Sequence, residues 1–203
     1  YTEKKSRFIA EVYSVSCLHD SFAYLEEAKK RYWDARHHCW AYVIGRNPGS
    51  ERMSDDGEPA GTAGKPILEV IRGRKVTDIF VVVTRYFGGT LLGTGGLVRA
   101  YTSAAAAALS DTVIITRISA FKLDIHTDYT GLGKIQYLIG RRGLDILDTA
   151  YTDKVVISIV IPEEEEGSFT KEVLEGTNGQ AVLEKKGKCW FARTENGVEI
   201  WEV

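Results

Sequence analysis

The sequence predicts a two-domain protein of mixed α/β (α+β) class, and three observations carry this prediction. The first half alternates apolar strand patterns with amphipathic helix patterns. The second half has the order β-α-β-β-α-β, which is typical of a ferredoxin-like domain. The balance of Lys and Arg against Asp and Glu is 15 to 13 up to Asp111 and 11 to 15 beyond it. We therefore predict one domain over 1–114 and a second over 115–203.

The elements of the first half follow from its apolar spacing. Strand patterns occur at three places: 7–15, 37–45 and 78–84. Helix patterns also occur at three places: 19–32, 66–72, and a third that begins after the turn 93–96 and ends at Leu109. The strand 78–84 is apolar on both faces, as in a buried central strand, and Pro66 suits a first helical turn. For the polar, glycine-containing segment 47–64 we predict neither helix nor strand.

The second half is more regular. Four strand patterns are followed by a hairpin signal: 121–125, 144–150, 154–161 and 181–186, then 189–193 and 198–203 around Asn196-Gly197. Thr127 or Asp128 can cap a helix that ends at 140–143. Pro162 is expected to start a second helix that ends at Gly176.

Composition excludes several classes of protein. The 203 residues are 44% hydrophobic and 27% charged, as in an ordinary globular chain. No apolar run is long enough to span a membrane, and the N-terminal residues lack the apolar region of a signal peptide. The three cysteines form no Cys-x-x-Cys pair, which argues against a disulfide framework and a cysteine-rich zinc site. We expect a cytoplasmic protein whose net charge of −2 restricts nucleic-acid binding to a local patch.

The segment 54–66 is unusual because small residues and carboxylates are dense in it. It can be a solvated loop with Asx turns, or a loop whose glycines let the backbone approach a ligand. Asp55, Asp56 and Glu58 can also offer oxygen ligands to a divalent cation, although their spacing matches no calcium loop. These alternatives remain open at this point.

Two arginines lie where an anion could bind. Arg85 follows the central strand, and its guanidinium either completes an internal ion pair or binds phosphate through two hydrogen bonds. Tyr86 and Phe87 beside it can stack on a base or belong to the core. The glycine-rich turn 93–96 precedes a predicted helix and can bind an anion through backbone N–H groups, with Arg99 one turn further. Neither a Walker A motif nor a Rossmann fingerprint is present.

His37-His38-Cys39-Trp40 has the composition of a metal cluster but not its spacing. Strand alternation directs His37 and Cys39 to one face and His38 and Trp40 to the other, so only one pair can share an ion. A histidine here can also act as general base for Ser54, but no Gly-x-Ser-x-Gly motif accompanies it.

Four stretches of the first half carry a family resemblance: 5–9 (Lys-Ser-Arg-Phe-Ile), 34–39 (Asp-Ala-Arg-His-His-Cys), 54–66 and 83–101. In their residues, order and spacing they resemble the bacterial, YigZ-type proteins of the Impact family. The second half resembles the smaller C-terminal domain of these proteins, mainly in its architecture.

The resemblance implies an N-terminal domain with the fold of the second domain of a small-subunit ribosomal protein, followed by a ferredoxin-like domain. This order is similar to the last two domains of elongation factor G, which reach into the ribosome. Eukaryotic Impact proteins regulate translation by restraining a starvation-responsive initiation-factor kinase, through a partner-binding domain with no visible counterpart here. The resemblance thus implies association with nucleic acid or the ribosome, and no established catalysis. A module that binds a protein partner of the translation machinery is a separate possibility.

We therefore predict a non-catalytic, translation-associated protein that binds RNA or the ribosome and has no membrane partner, no resident cofactor and no metal. Arg85 and Arg99 are expected to contact phosphate, and His38 and Tyr86 a base or sugar. The alternative is a nucleotide- or phosphate-binding enzyme, kinase-like or hydrolytic, that uses the turn 93–96. In it, Arg85 and Arg99 would contact the anion, and Asp55 or Asp56 would serve as a base or magnesium ligand. The predicted binding residues are His38, Ser54, Asp55, Asp56, Glu58, Arg85, Tyr86, Gly88, Gly89, Gly95, Gly96 and Arg99.

Overall fold

Each half of the chain builds its own five-stranded antiparallel sheet in a computed structural model that describes residues 1–45 and 49–202. The chain divides into two units, Tyr1–Ile114 and Ile115–Val203. No helix among the described residues is long and apolar enough to cross a membrane.

The first unit has helices on both faces of its sheet. Its elements are β1 (Thr2–Glu3), β2 (Ser6–Ser14), α1 (Leu18–Arg31), β3 (His37–Ile44), β4 (Ser50–Ser54), α2 (Gly64–Arg74), β5 (Ile79–Tyr86) and α3 (Gly93–Ser110). The strand order is β1-β2-β5-β3-β4. Along the central strand β5, Val81 and Val83 pack with α2 and α3, whereas Phe80 and Val82 pack with α1. This alternation explains why β5 is apolar on both faces.

Antiparallel pairing brings three chain segments to one end of this sheet. Arg7, near the start of β2, lies opposite Tyr86 at the end of β5. His37, at the start of β3, lies opposite Arg85. The residues just before β2 and β3 and just after β5 therefore meet at this end, which also carries most of the predicted binding residues.

The second unit has the predicted ferredoxin-like fold. Its elements are β6 (Ile118–Thr127), α4 (Tyr129–Arg142), β7 (Asp145–Tyr151), β8 (Val155–Pro162), α5 (Glu166–Gly176), β9 (Val182–Thr194) and β10 (Gly197–Glu202). The order β10-β9-β6-β8-β7 places the four strands of the split βαβ unit as 4-1-3-2, with a fifth added by the hairpin. Asp128 caps α4 by accepting the N–H of Gly131 at 2.8 Å, so of the two candidate caps it is the one used.

Four details of the predicted elements are wrong. The segment 47–64 contains the strand β4, which was not predicted because its residues are polar and exposed at the edge of the sheet. Residues 47 and 48 of this segment, and Val203 of the predicted hairpin, lie outside the described residues. The turn 93–96 is the first turn of α3 instead of preceding the helix.

The other two errors are in the second unit. Pro162 ends β8, still paired with Ala120, and α5 begins only at Glu166, because a turn bonded from Glu165 N–H to the Pro162 carbonyl intervenes. The two predicted strands 181–186 and 189–193 form the single strand β9. Gly187 and Lys188, between the two predicted strands, pair with Lys122 and Phe121, and a register shift at this point leaves Lys186 as the one extra residue of a bulge.

Candidate functional site

Asp55 anchors the acidic segment to the start of α2. Its carboxylate accepts the backbone N–H groups of Gly61 (2.8 Å), Ala63 (3.0 Å) and Gly64 (2.8 Å). N–H groups at a helix start have no acceptor within the helix, and the positive end of the helix dipole stabilises a carboxylate there. The oxygen atoms of Asp55 are thus engaged by the protein's own backbone.

Asp56 joins the same segment to β3. Its Oδ2 atom accepts the backbone N–H of His38 at 2.6 Å, and its carbonyl oxygen lies 2.8 Å from Nδ1 of His37. The N–H of Asp56 donates to Oγ of Ser54 at 3.2 Å. Asp56 and Gly57 have φ of 42° and 83°, so the chain turns tightly here in the left-handed region. Ser54, Asp55 and Asp56 are therefore brought together as a closed loop.

Glu58 and Arg85 form a buried ion pair. Arg85 Nη1 lies 2.6 Å from Glu58 Oε1, and the two side chains are only 7% and 3% exposed. The hydroxyl of Tyr101 donates to the same oxygen at 2.9 Å. The guanidinium lies 5.6 Å from the ring centres of Phe8 and Phe87. Of the two roles open to Arg85, the geometry is that of the internal ion pair, because its guanidinium is withdrawn from solvent and already holds a carboxylate.

Cys39 and Tyr101 extend this buried network. The Sγ atom of Cys39 lies 3.0 Å from the carbonyl oxygen of Asp55 and 3.3 Å from the Tyr101 hydroxyl. Burial raises the pKa of the Cys39 thiol and of the Tyr101 phenol. Both groups are neutral at pH 7, so Cys39 is a poor nucleophile.

The cysteines give a direct test of this burial. Cys17 is exposed, whereas Cys39 and Cys189 are buried and burial raises the pKa of both thiols. We expect a thiol reagent such as DTNB to modify one thiol rapidly in the folded protein and all three in denaturant. Cys17→Ser should abolish the rapid phase. A rapid phase that persists in this variant would contradict the closed network around Cys39.

His38 lies on the opposite face of the sheet. Alternation along β3 places His38 beside Thr84 on the α1 side, and its side chain is buried. Burial lowers the pKa of the imidazole, which favours its neutral form. The structure does not bring His38 together with Arg99, because α3 packs on the other face.

Arg99 is exposed and borders a groove beside the first turns of α3. The groove has a volume of about 280 Å³, and its lining, here called the Arg99 groove, consists of Tyr1, Glu3, Gly96, Val98, Arg99, Thr102 and Ser103. Gly95 and Gly96 belong to the first turn of α3, and Gly95 has open space around its Cα. Of the predicted residues, Gly96 and Arg99 thus share one groove with three hydroxyl side chains and the carboxylate of Glu3.

Tyr86 lies at the sheet end described above. Its hydroxyl donates to Asp34 Oδ1 at 2.7 Å, and this hydrogen bond raises the pKa of the phenol. The guanidinium of Arg7 lies over its ring, 4.7 Å from the ring centre. Tyr86 is therefore held between the start of β2 and the turn that precedes β3.

Gly88 and Gly89 carry the chain from β5 across the start of β2. A Cβ atom on Gly88 would lie 2.1 Å from the carbonyl carbon of Lys5, and the Gly88 N–H donates to Oγ of Ser6 at 3.1 Å. Gly89 has φ of 80°. Gly88 is thus required because another backbone segment lies close to its Cα, and Gly89 because its backbone is in the left-handed region.

Comparisons with known proteins agree with this architecture. Residues 4–109 match the Impact N-terminal domain, and residues 125–180 match the Domain of unknown function (DUF1949). IMPACT family member YvyE of Bacillus subtilis is 35% identical over 98% of this chain and 92% of its own length. The chain belongs to the Impact family. An IMPACT family member of Haemophilus influenzae is 40% identical over 89% of each chain.

Two further similarities extend this result. A crystal structure described as that of a hypothetical protein has a TM-score of 0.59, 34% identity and 90% coverage of both chains. Protein IMPACT homolog of Dictyostelium discoideum is 34% identical over 96 residues, which are 45% of this chain and 27% of that protein. All predicted binding residues lie within the Impact N-terminal match.

Sequence reasoning missed one cluster, in the second unit of this Impact family member. Donor atoms of Asp124, His126 and Glu184 lie within 4.8 Å of one another. Lys186 Nζ lies 2.8 Å from Glu184 and 3.5 Å from Asp124, so a cation of the protein itself already neutralises these carboxylates. The i, i+2 spacing of Asp124 and His126 was the available signal, but Glu184 joins them only through strand pairing.

Proposed function

We propose that this Impact family member is a non-catalytic, translation-associated protein that binds RNA or the ribosome through the Arg99 groove and the adjoining end of the first sheet. The observation that carries the proposal is the separation of charges at this end. Glu58 is buried and the carboxylates of Asp55 and Asp56 are bonded to backbone N–H groups, whereas Arg99 stays exposed in a groove lined also by Thr102, Ser103 and Glu3.

The internal bonding of the carboxylates removes an objection to phosphate binding. Asp55 is bound by three backbone N–H groups, Asp56 by the N–H of His38, and Glu58 by Arg85. These contacts compensate the negative charge next to the proposed surface. Other exposed cations lie at the same end of the sheet: Lys4, Lys5 and Arg7. They supply a local basic patch on a chain whose overall charge is slightly negative.

Arg85 and His38 take supporting roles in this proposal. Arg85 holds Glu58, and through it the acidic segment, while the His38 backbone holds Asp56. The contact with phosphate falls to Arg99 because its side chain is exposed.

Arg99→Glu tests the proposed site. We expect the variant to bind RNA about tenfold more weakly at low salt, and the slope of log affinity against log salt to become shallower by about 1, because one phosphate contact is lost. Fluorescence anisotropy with labelled RNA, across about 50 to 300 mM salt, measures both quantities.

Arg74→Glu is the matched control for charge. Arg74 is exposed and bonds Ser110 at the far end of α3, about 16 Å from Arg99 along the helix axis. The Arg74→Glu variant should bind RNA with nearly the affinity of the wild-type protein. Equal affinities of folded Arg99→Glu and wild-type protein would remove the groove as the binding site.

The alternative, a nucleotide-binding enzyme at the turn 93–96, has less support. Asp55 and Asp56 were its expected base or magnesium ligands, and both carboxylates are engaged by backbone N–H groups. We expect calorimetric titration with ATP and magnesium to give no binding heat. Binding that is lost in Arg99→Glu would favour the alternative.

A further inference from the structure

Trp33 is an indole left almost entirely in solvent. Its side chain is 81% exposed, although it lies in a turn closed by a 2.9 Å hydrogen bond from the Ala35 N–H to the Tyr32 carbonyl. A single exposed apolar residue is common on protein surfaces. What surrounds Trp33 therefore decides whether the indole has a binding role.

The turn that carries Trp33 is anchored to the end of β5. Asp34, the next residue, accepts the hydrogen bond of the Tyr86 hydroxyl at 2.7 Å. Two aromatic side chains, from Trp33 and Tyr86, are thereby brought to one end of the sheet, and we call them the aromatic platform. Phe87, the next residue, is not part of it, because its ring lies 5.6 Å from the guanidinium of Arg85 on the α3 side of the sheet.

Positive charge surrounds the aromatic platform. Arg7 lies over the Tyr86 ring at 4.7 Å, and Arg36 is exposed three residues after Trp33. Lys5 is exposed, and its backbone lies close to Gly88, two residues after Tyr86. The carboxylate in this turn, Asp34, is bonded to the Tyr86 hydroxyl. Cations interleaved with exposed aromatic rings complement a chain of phosphates that carries unpaired bases.

We propose that the aromatic platform binds single-stranded RNA by stacking on unpaired bases, while the neighbouring cations contact its phosphates. The inference rests on the proposed function and adds to it the class of RNA. A duplex keeps its base faces stacked on one another, so it can engage the cations but not the indole. Single strands should therefore be preferred, and the preference should depend on Trp33.

The experiment compares two labelled RNAs, an oligouridine of about 12 nucleotides and a duplex of equal length. We expect Trp33→Ala to bind the oligouridine about tenfold more weakly, since stacking on one base has this effect, and the duplex with nearly unchanged affinity. Trp33→Phe should retain most of the affinity and lose most of the quenching of tryptophan fluorescence by RNA. Tyr137→Ala, which removes a 60% exposed aromatic residue of the second unit, is the matched control and should behave as wild type.

The outcomes separate this inference from the proposed function. Suppose that the wild-type protein binds both RNAs and that Arg99→Glu weakens this binding, whereas Trp33→Ala does not. The proposed role of the aromatic platform would then be wrong, and the Arg99 groove would remain the proposed binding site. A Trp33→Ala variant that loses single-strand and duplex affinity equally would also overturn the platform. If wild-type protein binds neither RNA, both proposals fail. Unchanged thermal unfolding of Trp33→Ala, as its exposure predicts, assigns any lost affinity to the missing indole.

Discussion

Replacing Arg85 by Met is expected to destabilise the first unit by about 3–5 kcal/mol, because it leaves the carboxylate of Glu58 buried without its cation. Both side chains of the pair are less than a tenth exposed, and the Glu58 oxygen would retain only the hydroxyl of Tyr101. Urea unfolding, with hydrogen exchange of the β5 amides to assign the transition to the first unit, measures the loss.

A double variant separates the lost charge balance from lost packing. Arg85→Met combined with Glu58→Gln removes both charges and should recover a large part of the stability. Lys29→Ala breaks an exposed pair with Glu26 and should change the free energy of unfolding by less than about 0.5 kcal/mol. A loss below about 1 kcal/mol in Arg85→Met would contradict the buried pair.

Gly88→Ala is expected to cost about 3 kcal/mol, because the added Cβ would meet backbone atoms that cannot move independently. The new atom would lie 2.1 Å from the Lys5 carbonyl carbon and 2.3 Å from the Ser6 nitrogen. The chain crossing must open, which would also break the hydrogen bond from the Gly88 N–H to Ser6. The midpoint of urea unfolding measures the loss.

Gly95→Ala is the control for this substitution. Gly95 lies in the first turn of α3 with nothing within 4 Å of the added atom. Alanine should be neutral there or should stabilise the protein by up to about 1 kcal/mol, because it favours the helix. Similar effects of the two substitutions would mean that the chain does not cross closely at Gly88.

The fold could be predicted from local patterns because each unit buries its apolar residues with a regular period. The alternation along β5 and the order of elements in the second unit were sufficient for the fold class. The polar edge strand β4 could not be predicted, since its exposed residues carry no apolar signal. Its position depends on pairing with β3.

The candidate site was predictable in its location but not in the state of its side chains. Arg85 and Glu58 are 27 residues apart, and their pairing depends on how the acidic segment folds back over the sheet. The sequence therefore left the choice between an ion pair and an anion contact open. The internal bonding of Asp55 likewise follows from the loop closing on the start of α2. Trp33 was overlooked because nothing in its spacing separates an exposed indole from a buried one.

Co-sedimentation with purified ribosomes and with free ribosomal RNA, across about 50 to 300 mM salt, tests the central claim most directly. We predict saturable binding of the wild-type protein that weakens as salt rises. Arg99→Glu should reduce this binding and Arg74→Glu should not. Absence of binding to both ribosomes and RNA at the lowest salt would contradict the account.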